Sequence, residues 1–228
     1  MKKFLLVFIP GIIALAVGFG LYFINKNNTP VADTGLKNIN RNLSEDSRRV
    51  YMERIEAAEK DLAETQFTDK DASLRQTNNH LYLAQQYFGL GELEKSKQEY
   101  LKVLNFDSKN EAALVGLAYV FAEAGDLESA EKSLKTAIEY SPKNYSVWLQ
   151  YIDINRTRGV SKEGVKALFE EALAATGRYI DVVTKAANFY EQIGEKDKAV
   201  SMWEEAIKSN PGAKKTYELE IGRLKSVK

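Results

Sequence analysis

Four glycines, Gly91, Gly125, Gly159 and Gly194, recur at intervals of 34, 34 and 35 residues, each closing one apolar-periodic stretch shortly before the next begins. A period of that length predicts an all-α solenoid of helical hairpins. Each unit is a single supersecondary element, too small to bury its own apolar face, and must lean on its neighbour. The residues around each glycine repeat with it. Leu127, Ala130, Leu134, Ala137 and Pro142 follow Gly125 at the steps at which Lys196, Ala199, Trp203, Ala206 and Pro211 follow Gly194. Ahead of the glycines, Leu114, Leu117, Ala118 and Phe121 match Val183, Ala186, Ala187 and Tyr190, and more loosely Trp148, Tyr151, Ile152 and Asn155. In the first unit the set is His80, Leu83, Ala84 and Tyr87, then Ser96, Tyr100 and Val103. Spacings of three and four put each set on one helical stripe.

One unit then builds itself from simple parts. Helix A presents an apolar stripe, and the glycine ends it by accepting a left-handed conformation. Helix B folds back, with small side chains at Ala130 and Ala199 letting the two helices approach. Pro142 and Pro211 close the unit, since proline cannot continue a helix interior and suits a restart.

Carried by these residues, the stretch from Thr77 to Ala213 resembles the tetratricopeptide repeat family. The units read as 77–110, 111–144, 145–179 and 180–213, with the second and fourth nearest the family pattern. The first has Ser96 where alanine is usual and Ser108 where proline is usual. The third carries one extra residue in its turn, Val165 for alanine and Gly177 for proline. The resemblance implies a right-handed α-solenoid that binds protein rather than performs chemistry. It also implies that the A helices line a concave, peptide-binding groove. Carried over by register, the lining is Asn78, Leu81, Gln85 and Phe88, then Val115, Tyr119 and Glu123, then Leu149, Asp153 and Arg156, then Asp181, Thr184, Asn188 and Glu191. Amide side chains there could bond a peptide backbone, and Tyr119 and Phe88 offer contact area. Four carboxylates against Arg156 favour a mixed or mildly basic segment as ligand. The family's clamp for a C-terminal carboxylate is not implied, because Leu81 and Gln85 stand at its places. Residues 214–228 read as a capping helix with Tyr217, Ile221 and Leu224 on one face, covering the last apolar edge.

The other informative region is residues 1–25. Phe4 to Ile24 is 21 residues without a charge, about 31 Å as a helix and enough to span a hydrocarbon core of ~30 Å. Lys2 and Lys3 precede it and only Lys26 follows closely, so the positive-inside bias predicts a cytoplasmic N-terminus with the repeats across a bacterial inner membrane. The competing reading is a cleaved signal peptide, with Ala14-Leu15-Ala16 or Gly18-Phe19-Gly20 as the cut. An uncleaved anchor is favoured, because either cut would leave an apolar start on a soluble protein. Ala14 with Gly18, and Ala16 with Gly20, have a spacing that leaves a homodimer open.

Residues 26–43 form a polar linker, with Thr29-Pro30 and Thr34-Gly35 as breakers, which predicts a free tether. Residues 44–76 hold an N-terminal helix starting near Ser44 and a lead-in to the first unit. Tyr51, Ile55, Ala58 and Leu62 share a face of that helix, which reads as a lid on the first hairpin rather than a short coiled coil. Thr68-x-x-Asp71 gives a capping-box-like start for the helix leading into the first unit.

Chemistry finds little purchase. Lys plus Arg and Asp plus Glu both number 32, which leaves no basic field for nucleic acid. No cysteine is present, and His80, the single histidine, has no ligand-spaced neighbour, so neither a metal nor a cofactor is expected. With no phosphate loop or nucleophile motif either, the sequence predicts a non-enzymatic interaction module.

Overall fold

A computed structural model describes residues 35–64 and 72–226. Residues Lys37–Lys228 belong to one compact unit, which holds the repeats. The expected membrane anchor at Phe4–Ile24 and the Thr68-x-x-Asp71 start lie outside the described residues. Among the described residues, no helix is long and apolar enough to cross a membrane.

Every regular element described is helical. α1 (Glu45–Glu64) precedes α2 (Ala72–Leu90) and α3 (Leu93–Phe106). Then follow α4 (Glu111–Glu123) with α5 (Leu127–Tyr140), α6 (Tyr145–Thr157) with α7 (Lys162–Ala175), and α8 (Ile180–Gln192) with α9 (Lys196–Ser209). A 3-10 turn at Pro211–Ala213 leads into α10 (Lys214–Ser226). Contacts run between neighbours along the chain, as expected of an all-helical solenoid.

Local chemistry sets these boundaries. Asn110 begins α4 by accepting the Ala113 amide at 3.1 Å, and Asp126 begins α5 by accepting that of Ser129 at 3.0 Å. Such side chains satisfy donors that the first helical turn leaves orphaned. At the other end, Gly91 and Gly125 have φ of +81° and +83°, which lets the chain reverse while the next amide bonds back into the helix. Glu92 donates to the Tyr87 carbonyl and Asp126 to that of Phe121, both at 2.9 Å. The same closing bond recurs from Val160 to Asn155 and from Glu195 to Tyr190. The turn at residues 158–161 is longer than those at 124–126 and 193–195, and Ser161 restarts the helix by accepting the Gly164 amide at 3.1 Å.

Packing follows the sequence stripe. Ala130, Ala137, Ala199 and Ala206 are completely buried, so the helices of a pair meet across side chains of one carbon. Ser96, standing where alanine was expected, is also completely buried, and its hydroxyl is satisfied by the Ala84 carbonyl at 2.8 Å. Trp148 donates its indole N–H to the Pro142 carbonyl at 2.8 Å, tying α6 to the loop that precedes it. At the C-terminal end Leu224 is buried, and Tyr217 stacks on Trp203 at 5.5 Å between centroids. That contact shields the apolar edge of α9. At the other end, α1 lays Ile55 and Ala58 against Leu83, Tyr87 and Leu90, and Tyr87 donates to Glu59 at 2.7 Å.

One expectation needs correction. The segment read as a free tether does not run clear of the repeats: Lys37–Leu43 lies along α2 and the turn after it. Ile39, Arg41 and Leu43 are half-buried, while Asn38, Asn40 and Asn42 stay exposed. Exposure alternates from Asn38 to Arg41 as in extended chain, and at Asn42 the backbone turns left-handed, with φ of +49°, its amide donating to the Asn40 side chain at 2.9 Å, so a polar composition can hide one buried edge.

Candidate partner-binding groove

The A helices touch one another as well as their partners: α2 meets α4, and α6 meets α8. Their outward stripes therefore form two short stretches of shared surface. Leu81, Phe88, Val115, Leu149, Thr184 and Glu191 are half-buried there, and Asn78, Gln85, Tyr119, Glu123, Asp153, Arg156, Asp181 and Asn188 are exposed.

The α6–α8 stretch holds a cavity of about 200 Å³. Leu149, Ile152, Phe169 and Phe189 give it apolar walls, and Asp153, Arg156, Lys185, Asn188 and Gln192 surround them with polar groups. Arg156 is partly committed: it donates to Gln192 at 2.9 Å, stands 3.6 Å from the Asp153 carboxylate and lies 5.9 Å from the centroid of the Phe189 ring. Asn188 donates its amide to the Thr184 carbonyl at 3.0 Å, which leaves its oxygen as an acceptor. Ile152, Phe169, Lys185, Phe189 and Gln192 were not in the register-based set. The walls come from core-facing positions whose edges show between helices, and sequence spacing marks these only as core.

The α2–α4 stretch is already occupied by the chain itself. Arg41 pairs with Glu123 through its two terminal guanidinium nitrogens, at 2.7 and 3.1 Å, donates to the Phe88 carbonyl at 3.1 Å and lies 4.9 Å from the centroid of the Phe88 ring. Two residues back, the Ile39 amide donates to the Gly91 carbonyl at 2.8 Å.

The acidic lean expected of the groove is largely cancelled from within. Glu191 binds Arg223 of α10 at 2.6 and 2.7 Å, and these bonds hold its carboxyl below the usual range. The Tyr145 phenol, stacked on Tyr179 at 4.1 Å, is pushed up by Tyr179 and by the nearby Asp181 carboxylate. With Glu123 held by Arg41, two of the four groove carboxylates are paired with arginines from outside the register-based set, and Asp153 stands beside Arg156 within it. Away from the groove, His80 meets Glu99 at 2.6 Å and stacks with Phe106 at 6.0 Å, while Glu99 also takes Lys102 at 2.6 Å. Among the described residues, no group of three or more His, Asp or Glu is disposed to hold a metal ion.

Against known proteins, family models described as tetratricopeptide repeat match residues 112–144 and 181–213, the α4–α5 and α8–α9 pairs. The chain carries tetratricopeptide repeats. Mouse interferon-induced protein with tetratricopeptide repeats 3 is 26% identical over 144 residues, 60% of this chain and 34% of that protein. The mouse interferon-induced protein with tetratricopeptide repeats 2 is 31% identical over 122 residues, 52% of this chain and 26% of its own length. The repeat protein thus spans about a third or less of these curated relatives. Its fold is similar to that of the crystal structure of MamA protein, with a TM-score of 0.50, 23% identity, and 65% of this chain and 80% of that one covered.

Proposed function

We propose that the repeat protein is a non-enzymatic scaffold that holds an extended segment of a partner protein along its A helices, tethered to a bacterial inner membrane by Phe4–Ile24. The α2–α3 and α6–α7 pairs count in this reading as the first and third repeats of a right-handed, four-repeat array. The observation that carries it is the α6–α8 cavity, whose apolar walls and ring of amide, carboxylate and cationic groups suit a peptide better than a reacting small molecule. Tethering draws on the uncharged 21-residue run and the lysines before it.

A photo-crosslinking side chain at Asn188, compared with one at Lys132 of α5, tests the groove. Adducts with one or a few proteins from Asn188 alone are expected, and equal labelling from both positions would refute groove binding. Adducts of the chain with itself would shift the reading to a self-associating subunit. Protease added to intact spheroplasts should digest the repeats, and protection would place them on the cytoplasmic side.

A further inference from the structure

We infer that the α2–α4 end of the groove is a receptor for an extended segment carrying an arginine two residues after an aliphatic residue. The chain's own Lys37–Leu43 is its resident, displaceable occupant. The inference rests on the groove reading above and names the ligand chemistry of one end of that groove.

Three features define what this end recognises. The first is backbone: the Gly91 carbonyl takes the Ile39 amide at 2.8 Å, and the Ile39 carbonyl presses so closely on Gly91 that a Cβ there would collide with it. Around Gly125, Gly159 and Gly194, by contrast, a Cβ would meet nothing within 4 Å. Only the first turn, then, is fitted to a passing main chain. The second is a cation slot in which Phe88 supplies both a ring face and a carbonyl, and Glu123 supplies a carboxylate. A planar, forked guanidinium can lie flat on the ring while its edges bond the carbonyl and both carboxylate oxygens, a fit that a point-like ammonium makes less well. The third is origin: Phe88 and Glu123 come from the A helices of successive pairs, so the slot exists only where two repeats stack.

The occupant is held at few points. Arg41 and Glu123 keep 24% and 33% of their side-chain surface exposed, and the Arg41 Nε is buried without a hydrogen-bond partner. The pair is bidentate and mostly buried, so Arg41 is the segment's main attachment beside the Ile39 bond, and its tether keeps the arginine close to its site. A partner segment of the same chemistry must then compete with a high local concentration of the chain's own arginine. Loss of Arg41 should open the site, and loss of Glu123 should spoil it.

The test uses the full chain and a fluorescein-labelled peptide with the sequence of residues 37–43, followed by fluorescence anisotropy, with circular dichroism to verify folding. The Arg41→Ala chain should bind the peptide roughly tenfold or more tighter than the unaltered chain. Arg41→Ala combined with Glu123→Gln should lose that gain, and a peptide with lysine in place of arginine should bind more weakly. Equal binding to the unaltered and Arg41→Ala chains, or no binding to either, would overturn the proposal, as would indifference to Glu123→Gln. Crosslinking from Asn188 separates the two readings. If it persists while the peptide fails, the groove binds partners and only this assignment falls. A rise in molecular mass of the Arg41→Ala chain on adding unaltered chain would identify a second copy as the segment's source and count in favour.

Discussion

At the scale of single residues, identical backbone demands carry different burdens. Gly91 and Gly125 adopt nearly the same left-handed conformation, but only Gly91 also lies against another segment, the Ile39 carbonyl. Gly125→Ala should cost about 1–2 kcal/mol, the penalty of a Cβ in that region, and change nothing else. Gly91→Ala should cost more in urea denaturation and also dislodge Lys37–Leu43, exposing the bond after Arg41 to trypsin. Equal costs with equal trypsin resistance would show that the close approach contributes nothing. Tyr100 carries a second residue-scale consequence. Burial pushes its phenol from 10.0 up to about 12, so the folded state holds that proton more tightly than the unfolded chain does. Stability from this group is therefore complete below pH 10 and is lost as pH rises from there toward 12, by about 2 kcal/mol. Chemical denaturation across that range should show a shallower alkaline decline for Tyr100→Phe than for the unaltered protein.

Elements bring these residues into register, and the seam between successive pairs can be tested directly. The Tyr100 ring of α3 occupies the place where a Cβ on Gly116 of α4 would stand, and both residues are buried. Alanine is the better helix former by roughly 1 kcal/mol, yet Gly116→Ala should lower the thermal midpoint. Moving a packed ring costs about 1–3 kcal/mol, which outweighs the propensity. A raised midpoint would mean that the ring has room to turn. The helices and their ends were legible in the sequence because each signal is local: apolar residues at three- and four-residue spacing, a glycine after Leu90 or Ala124, an Asn110 or Asp126 before the next turn. Register proposes candidate groove positions for the same reason, but the groups that pair with them were not legible. Arg41 meets Glu123 across 82 residues and Arg223 meets Glu191 across 32, and neither pairing leaves a periodic trace. The Ile39 amide bonds a main-chain carbonyl, a contact any residue but proline could make. The alternation of Ile39, Arg41 and Leu43 was the one available signal, and three positions of period two are too few to set against a run of asparagines.

For the repeat body as a whole, stability should be distributed rather than global. One apolar cluster runs from Trp148 through Phe169 and Tyr190 to Leu224, while another joins Ile55 and Ala58 to Leu83 and Leu90. Connections between them pass through neighbouring helix pairs, and in such arrays each unit is supported by its own packing and the next interface. Leu224 is the deepest residue of α10, with 4% of its surface exposed, and truncating a buried leucine costs about 2–5 kcal/mol. In a single cooperative core, Leu224→Ala would lower the protection of every slowly exchanging amide by the same free energy. In a body held by nearest-neighbour interfaces, the loss should fall on α9 and α10 first, weaken through α8, and leave α2 and α3 unchanged. Hydrogen exchange read by mass spectrometry on peptides from each pair distinguishes the two. Uniform acceleration from α2 to α10 would mean that the repeats fold as one unit. A gradient that fades toward α2 would mean that the groove's two ends can open independently, so that release of Lys37–Leu43 at one end need not disturb the cavity at the other.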